Sequence, residues 1–341
     1  APDAGRRRAR AEQRGSWAQA RGGHYGRPAA AYNRVMLPAV SLAALTWLLP
    51  PVLSPGDLVA VVAPSSPLSG AELWPGLAWL RARYRIRMGS GVLAHDGFLA
   101  GDDRRRAFEL SQAIGDREVK AIVAARGGYG ALRLLDQIPW EALSRHPKWI
   151  VGFSDVTALH AMAWRAGVAS IHAPNVAGLG GASVAVRAAW LTALERSPAK
   201  REWPALRVLH RGHARSDAAG RLVGGNLSLV HALAAAGRLT VPAGAVLALE
   251  DVGEAPYRVD RMFTSLLLGG HLARLSAIVL GGFDRSPPGV DGRSVDDVLQ
   301  ERTRGLGIPV LAGAPFGHGT NNAAFLLGTV VHVRNDTIVW G

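Results

Sequence analysis

The chain has 341 residues, 48% of them apolar, which is enough for two ordinary domains that each have a core. It contains no cysteine, so disulfides and thiolate metal sites are excluded and nothing argues for an oxidising compartment. The formal net charge of +13 at pH 7 would suit an anionic partner, but the distribution of this charge matters more than its total.

Much of the charge lies in residues 1–34, where eight arginines stand against one aspartate and one glutamate. This stretch is rich in glycine and alanine and has no sustained apolar period. We therefore predict that residues 1–45 form a disordered basic extension. No interleaving of aromatic and basic residues and no known binding motif accompanies the charge, so we do not expect nucleic acid as a partner.

The uncharged stretch over residues 35–53 is just long enough to raise the question of a membrane span. Its three prolines, Pro38, Pro50 and Pro51, argue against a spanning helix, and no clear signal-peptide cleavage site follows it. We interpret it as part of an upstream extension, with Met36 as an alternative natural start. We expect no stable membrane insertion and a cytoplasmic protein.

After residue 55, apolar runs that predict buried strands alternate with amphipathic runs that predict helices. Residues 56–66 are a strand candidate, and residues 70–84 and 102–116 are helix candidates. Residues 119–138 show the pattern of strand, glycine turn and helix, and residues 148–167 repeat it. Such alternation predicts a parallel sheet with right-handed crossovers, and ligands of these sheets bind at the carboxyl ends of the strands.

The pattern weakens over residues 181–205 and then changes. The second half contains four short strand candidates and one amphipathic helix candidate, at residues 221–226, 245–250, 277–283, 329–334 and 257–270. We predict an α/β chain with an N-terminal parallel-sheet α/β domain over residues 46–190. A smaller C-terminal β-rich α+β domain follows over residues 205–341.

Ser154 stands in "GFSDV", where an apolar run stops and a helical run begins. A serine at a strand-to-helix turn lies near exposed N–H groups that can stabilise an oxyanion, which suits acyl transfer. The usual elbow G-x-S-x-G is incomplete, because Val156 occupies the position of the last glycine. The alternative is a helix N-cap, and for this stretch alone it is the better interpretation.

Two further residues change this balance. Glu250 ends an apolar strand, and His318 lies in a glycine-bracketed loop. The chain order serine, glutamate, histidine occurs in hydrolases that build a triad on an α/β sheet, although similar geometries recur in other orders. The alternatives are that Glu250 pairs with Arg258 or Arg261, and that His318 forms only local hydrogen bonds.

The segment "ARGGYGALRLL" also has two interpretations. Gly127 and Gly128 form either a tight turn before a helix or a nest of N–H groups for an oxyanion or carboxylate. The segment lacks the Lys and Ser/Thr of a phosphate-binding P-loop. His210 and His213 have no third ligand nearby, so a solvated turn is favoured over a metal site. We expect neither a metal nor an organic cofactor.

Several segments together resemble the LD-carboxypeptidase family of serine peptidases, which includes murein tetrapeptide carboxypeptidases and microcin C immunity peptidases. The resemblance runs from about residue 46 to the end of the chain. The segments are "VAPSSP" (62–67), "ARGGYGALRLL" (125–135), "GFSDVTALH" (152–160), "HAP" (172–174), "GGNLSLV" (224–230), "LEDVGEAPYRVDRM" (249–262) and "FGHGTNN" (316–322).

The resemblance implies roles that spacing alone does not assign. The family's nucleophile falls on Ser154, and the glutamate and histidine of its triad fall on Glu250 and His318. It also implies an active site between an α/β domain and a smaller β-rich domain, often in a homodimer. The expected reaction is hydrolysis of the amide between an L-configured centre and a C-terminal D-amino acid, releasing D-alanine from murein tetrapeptide in cell-wall recycling.

For this reaction we expect the backbone N–H groups of Asp155, Gly127 and Gly128 to bind the oxyanion. Arg126 is the candidate for binding a substrate carboxylate, with a structural salt bridge as its alternative. Three other functions stay open: a peptidase that cleaves microcin C-like aminoacyl or peptidyl nucleotides, a ligand-binding module without catalysis, and nucleic-acid binding through residues 1–34. The first of these needs an aromatic platform for the base.

Overall fold

The computed structural model describes residues 47–196, 201–212 and 217–340. The predicted basic extension over residues 1–45 lies outside these ranges. Within them, the chain builds two β-sheets with helices packed around them.

The first sheet has six strands among the described residues. Five of them are parallel, in the spatial order β5-β4-β3-β1-β2: β1 (Leu58–Val62), β2 (Arg85–Met88), β3 (Val119–Ala124), β4 (Trp149–Gly152) and β5 (Ser170–His172). The central strands consist of buried apolar residues, as expected for a parallel sheet covered on both faces. One strand from near the end of the chain, β12 (Phe325–Leu327), pairs antiparallel with β5 at the edge.

Six α-helices belong to this half: α1 (Gly70–Arg81), α2 (Asp103–Gly115), α3 (Trp140–Arg145), α4 (Thr157–Arg165), α5 (Val176–Leu179) and α6 (Val184–Glu195). Two short 3₁₀ helices, Ala131–Gln137 and Ser154–Val156, follow β3 and β4. The helices α1, α2 and α6 begin where the sequence supplies caps, because Ser69, Asp102 and Ser183 accept hydrogen bonds from first-turn N–H groups.

The second sheet has eight strands among the described residues, in the order β6-β14-β13-β8-β9-β10-β11-β7. They are β6 (Arg201–Trp203), β7 (Arg207–Arg211), β8 (Ala218–Asn226), β9 (Val246–Val252), β10 (Ala277–Asp284), β11 (Pro309–Ala312), β13 (Val330–Arg334) and β14 (Thr337–Trp340). Strands β8 to β11 are parallel, and the outer strands are antiparallel. Three helices accompany this sheet: α7 (Leu227–Ala235), α8 (Pro256–Leu268) and α9 (Val295–Thr303).

One hydrophobic cluster spans both sheets. It includes Ile122 of β3 and Leu159 of α4 from the first half, and Val223 of β8 and Phe263 of α8 from the second, each of them almost fully buried. The two halves of the chain therefore share one hydrophobic core. Burial on this scale is the main favourable term in the stability of the fold.

The predicted fold class is confirmed, with differences in detail. The helix predicted after the glycine turn is a 3₁₀ helix, and the stretch with a weak pattern contains α6 and β6. Helix α6 packs with the first sheet through the buried Leu194, so the predicted domain end at residue 190 falls inside this helix. The two domain boundaries stay predictions.

The uncharged stretch is described only from Trp47 onward. There the chain is extended, and the Leu48 N–H donates to the Gly167 carbonyl at 2.7 Å. Among the described residues, no helix is long and apolar enough to cross a membrane.

The loops at the carboxyl ends of β1 and β3 are joined by Arg106, which is 1% exposed. Its guanidinium donates to the carbonyls of Gly101 and Gly130, at 3.2 and 3.1 Å, and also to that of Pro64. The sequence pattern around α2 does not distinguish Arg106 from its exposed neighbours. One buried cation therefore holds three loops, and the third of them is the glycine turn.

We predict that Arg106→Met lowers the free energy of unfolding by about 3 kcal/mol or more, because three carbonyls lose a charged donor. The matched control is Arg104→Met on the exposed face of the same helix, which should change it by no more than about 0.5 kcal/mol. Urea unfolding measures both. Equal effects for the two variants would contradict the role given to Arg106.

Candidate active site

Ser154 lies at the carboxyl end of β4, in a turn with unusual backbone geometry. Its φ angle is 64°, in the left-handed region that costs a non-glycine residue about 1 to 2 kcal/mol. A Cβ at Gly152 would lie 2.9 Å from both methyl groups of Val156, so the valine that breaks the usual elbow pattern fills the space that Gly152 leaves. The turn is a tightly packed strand-to-helix elbow despite that departure.

The helix-cap interpretation of Ser154 does not hold. The N-cap of α4 is Val156, and no side chain caps that helix. Below the elbow, the buried His160 donates from Nε2 to the Gly152 carbonyl at 2.9 Å. Burial lowers the pKa of His160 to about 4, so this imidazole is neutral and acts as a fixed donor that supports the turn.

The glycine turn lies directly beside Ser154. A Cβ at Gly127 would be 3.0 Å from Ser154 Cβ and 3.2 Å from Ser154 Oγ. Asp155, which is 1% exposed, accepts a hydrogen bond through Oδ2 from the Ala131 N–H at 2.8 Å. This contact ties the elbow to the glycine turn. The backbone N–H groups of Gly128 and Asp155 have no hydrogen-bond acceptor in the described part of the chain.

The Asp155 carboxyl is buried, and desolvation raises its pKa, with the hydrogen bond from the Ala131 N–H acting in the opposite direction. The backbone N–H of Asp155 is one of the predicted oxyanion donors. The structure adds a separate role for its side chain, which connects two turns. No sequence signal distinguishes this from ordinary polarity in the first turn of a helix.

Glu250 and His318 form a hydrogen-bonded pair. Glu250 Oε2 lies 2.7 Å from His318 Nδ1, and the Glu250 side chain is fully buried while that of His318 is 13% exposed. Burial raises the pKa of Glu250, and the hydrogen bond to His318 opposes this rise. Neither alternative pairing of Glu250 is present. Arg258 pairs with Glu254 at 3.6 Å, and Arg261 forms no ion pair with any described residue.

Phe153 connects this pair to the elbow. Its ring packs against the imidazole of His318, with 4.8 Å between the centroids, and Ser154 is the next residue. The structure thus brings the three predicted triad residues into one region. Ser154 Oγ makes no hydrogen bond to His318 or to any other described residue; such contacts often shorten only when substrate binds.

Asn226, at the end of β8, is a site residue to which sequence analysis gave no role. Its side-chain nitrogen donates to Asp251 Oδ1 at 2.9 Å and to Glu250 Oε1 at 3.3 Å. Its backbone N–H donates to Thr157 Oγ1 at 2.9 Å. The signal was present in "GGNLSLV", because an asparagine after two glycines at a strand end is typical of a turn that positions a polar group.

Arg126 lies in the half-exposed rim of the site. It pairs with Glu72 at 2.9 Å and donates to the Pro67 carbonyl at 3.2 Å. The salt bridge considered in the sequence analysis is therefore formed. A role for Arg126 in binding a substrate carboxylate stays a prediction.

Within residues 47–196, 201–212 and 217–340, no group of histidine, aspartate and glutamate side chains is placed to hold a metal ion. His210 Nε2 lies 2.9 Å from the Gln300 carbonyl. His213 lies outside the described residues.

A serine in a left-handed elbow, a neighbouring turn with free N–H groups and an imidazole held by a buried carboxylate are together typical of serine hydrolases built on an α/β sheet. Family models give the more specific assignment. The LD-carboxypeptidase N-terminal domain matches residues 59–173, and the LD-carboxypeptidase C-terminal domain matches residues 219–333.

Among curated relatives, the chain is 32% identical over 291 residues to the murein tetrapeptide carboxypeptidase of Pseudomonas aeruginosa, covering 83% of this chain and 94% of that protein. Among solved structures, the muramoyltetrapeptide carboxypeptidase of Oxalobacter formigenes matches with a TM-score of 0.73 at 27% identity, covering 83% of this chain and 97% of the other. The microcin C7 self immunity protein MccF, in complex with aspartyl sulfamoyl adenosine, matches with a TM-score of 0.77, covering 86% of this chain and 98% of the other. At 22% identity, that last likeness shows the fold alone.

The chain belongs to the LD-carboxypeptidase family and is a serine-type carboxypeptidase, as the sequence motifs predicted.

We predict that Ser154→Gly is more stable than Ser154→Ala by about 1 kcal/mol, because glycine adopts a φ of 64° without strain. Thermal and urea unfolding of the two variants test this. At Ser170, in the regular strand β5, the order should be reversed, with glycine less stable than alanine by about 0.5 to 1 kcal/mol. If the glycine variant is less stable than the alanine variant at Ser154 as well, the elbow stores no strain.

Proposed function

We propose that this chain uses Ser154, Glu250 and His318 as a catalytic triad. It would hydrolyse the amide between an L-configured centre and a C-terminal D-amino acid, releasing D-alanine from murein tetrapeptide in cell-wall recycling. The observation that carries the proposal is the 2.7 Å hydrogen bond between Glu250 and His318 beside a serine in a left-handed elbow. The names of the Pseudomonas and Oxalobacter proteins support the substrate class.

In this proposal, Glu250 accepts the Nδ1–H of His318 and so leaves Nε2 free as a base. His318 Nε2 takes the Ser154 proton while Oγ attacks the carbonyl carbon of the L-configured residue. The imidazolium that forms lies next to a buried carboxylate, which stabilises it. Asn226 donates to the same carboxylate and keeps it oriented.

The oxyanion would be bound by backbone N–H groups of the two adjacent turns. Those of Asp155, Gly127 and Gly128 are the candidates, because all three donate to nothing among the described residues and belong to turns that meet at Ser154. Because Gly127 has no side chain, the glycine turn can lie directly against Ser154. His318 then protonates the nitrogen of the leaving D-alanine, and water hydrolyses the acyl-enzyme with His318 again acting as base. These steps use only groups of the chain, the substrate and water.

Three further expectations stay proposals. Arg126 is the candidate for a substrate carboxylate, and its half-exposed pairing with Glu72 is of the kind that contributes little to stability and can be exchanged for a ligand. The homodimer and the cytoplasmic location are the other two, and they rest on the family resemblance and on the sequence interpretation.

An exposed aromatic pair supports the second candidate, cleavage of an aminoacyl or peptidyl nucleotide. Phe98 and Tyr129 are 63% and 48% exposed, and their ring centroids are 5.5 Å apart. Tyr129 directly follows the Gly127 and Gly128 turn, so the pair lies on the same edge of the sheet as Ser154. An exposed aromatic surface there is what stacking of a nucleobase would need.

We predict that the wild type releases D-alanine from L-Ala-D-Glu-meso-diaminopimelate-D-Ala and that Ser154→Ala does not, because the variant lacks the attacking oxygen. Mass spectrometry of the products measures this, with circular dichroism to show that both proteins are folded. Aspartyl sulfamoyl adenosine, tested in parallel, separates the two candidates. Cleavage of this compound alone would overturn the murein assignment in favour of the nucleotide substrate.

We predict that Gly127→Ala lowers kcat by about 10²-fold, because the added methyl group would displace Ser154 Oγ from its position. The backbone of Gly127 has no positive φ angle, so the alanine variant carries no backbone strain, and circular dichroism shows whether it is folded. Gly181→Ala is the control, since a Cβ there meets nothing within 4 Å. Unchanged turnover in Gly127→Ala would contradict the close packing of this turn against a catalytic Ser154 Oγ.

A further inference from the structure

Asp284 and Arg285 lie at the carboxyl end of β10, next to the pair formed by Glu250 and His318. Asp284 is in register with Val252 of β9, two residues after Glu250. The loop that carries His318 runs along the same strand end, because the Gly282 N–H donates to the Phe316 carbonyl at 2.8 Å.

The Asp284 carboxylate reaches this loop directly. A Cβ placed on Gly319, the residue after His318, would lie 3.0 Å from Asp284 Oδ1. The carboxylate thus borders the loop that positions the imidazole, on a strand adjacent to the one that ends in Glu250. A substrate held at His318 would have part of its length within reach of this group.

The Asp284 carboxylate and the Arg285 guanidinium have no partner within the described part of the chain. Neither side chain forms a hydrogen bond or an ion pair with any described residue, and Asp284 Oδ2 is buried from solvent without a donor. A shielded carboxylate oxygen that lacks a donor costs free energy. Oδ1 of the same carboxylate is not buried in this way, so a cationic ligand that reaches Oδ1 would offset part of this cost. The Asp284 carboxylate is therefore suited to binding the ammonium group of a ligand.

Arg285 adds a second observation. Its φ angle is 52°, so a non-glycine residue holds a left-handed conformation at the point where β10 ends, and its side chain is exposed. Strain of this kind persists where the surrounding structure enforces it and is concentrated at ligand sites. Adjacent opposite charges that pair with nothing else fit a ligand that carries an ammonium and a carboxylate on one carbon.

We infer that Asp284 and Arg285 bind the distal amino-acid end of the diamino acid whose L-centre supplies the scissile carbonyl. Asp284 accepts hydrogen bonds from the distal ammonium, and Arg285 donates to the distal carboxylate. This inference rests on the proposed function, since murein tetrapeptide contains such a residue before its terminal D-alanine. Asp284 and Arg285 determine specificity and take no part in bond cleavage.

The test uses tetrapeptides that differ only in their third residue. Meso-diaminopimelate has both distal groups, lysine has only the ammonium, 2-aminopimelate has only the carboxylate, and norleucine has neither. Release of D-alanine from each peptide is measured for the wild type, Asp284→Asn, Arg285→Gln and the control Asp291→Asn. In the wild type, the Asp291 carboxylate lies in the loop that follows β10 and accepts a hydrogen bond from the Arg293 N–H.

Asp284→Asn should lower kcat/KM by about 10- to 100-fold for the diaminopimelate and lysine peptides and change the other two by less than about twofold. Arg285→Gln should lower kcat/KM for the diaminopimelate and 2-aminopimelate peptides, by about tenfold because this side chain is exposed, and leave the lysine peptide unchanged. Asp291→Asn should behave like the wild type on all four.

An equal loss on all four peptides in Asp284→Asn would mean that Asp284 only positions the His318 loop, and no loss on any would mean that it binds nothing. Either result overturns the inference. Calorimetry in the Ser154→Ala background measures peptide binding separately from turnover. If the wild type cleaves none of the peptides, the proposed function fails. The inference then stands only if Asp284→Asn still weakens binding of the diaminopimelate peptide by about tenfold or more, and equal binding overturns it too.

Discussion

The hydrogen bond from the Asn226 backbone to Thr157 is the contact on which the arrangement of the site depends. It joins the carboxyl end of β8 to the first turn of α4, three residues after Ser154. The approach is so close that a Cβ on Gly225 would lie 2.5 Å from Thr157 Oγ1. Because Asn226 also donates to Glu250, this one junction relates the elbow on the first sheet to the carboxylate on the second.

Around this junction, several buried polar groups have defined partners. Glu250 is held by His318 and Asn226, Asp155 by Ala131, and His160 donates to the carbonyl below the elbow. In a medium of low dielectric constant, hydrogen bonds of this kind are strong, and an unpaired group is costly. The network therefore favours one arrangement of the turns, which is the preorganisation that acyl transfer requires.

Much of this could be predicted from sequence. Alternating strands and helices indicated the parallel sheet of the first half, and the family resemblance assigned Ser154, Glu250 and His318. The parallel centre of the second sheet, β8 to β11, was not predicted. What sequence could not supply were contacts between residues far apart in the chain, such as Arg106 with three loop carbonyls. Residues of one type look alike in a linear pattern, and only the fold separates a buried Arg106 from an exposed Arg104. Likewise, a helix cap and an elbow at Ser154 differ in the φ angle of this residue. The presence of a serine does not predict that angle.

The edge strand β12 has a consequence for how the chain folds. The first sheet draws five strands from residues before 173, but its edge next to β5 is covered by Phe325–Leu327. During synthesis, the first half therefore emerges with the backbone of β5 unpaired on one side until almost the whole chain has been made. Such late closure has a high entropic cost and exposes a sheet edge to other chains in the meantime. The two halves are thus linked in folding order as well as in the site, and a chain that ends before β12 would leave β5 open to aggregation.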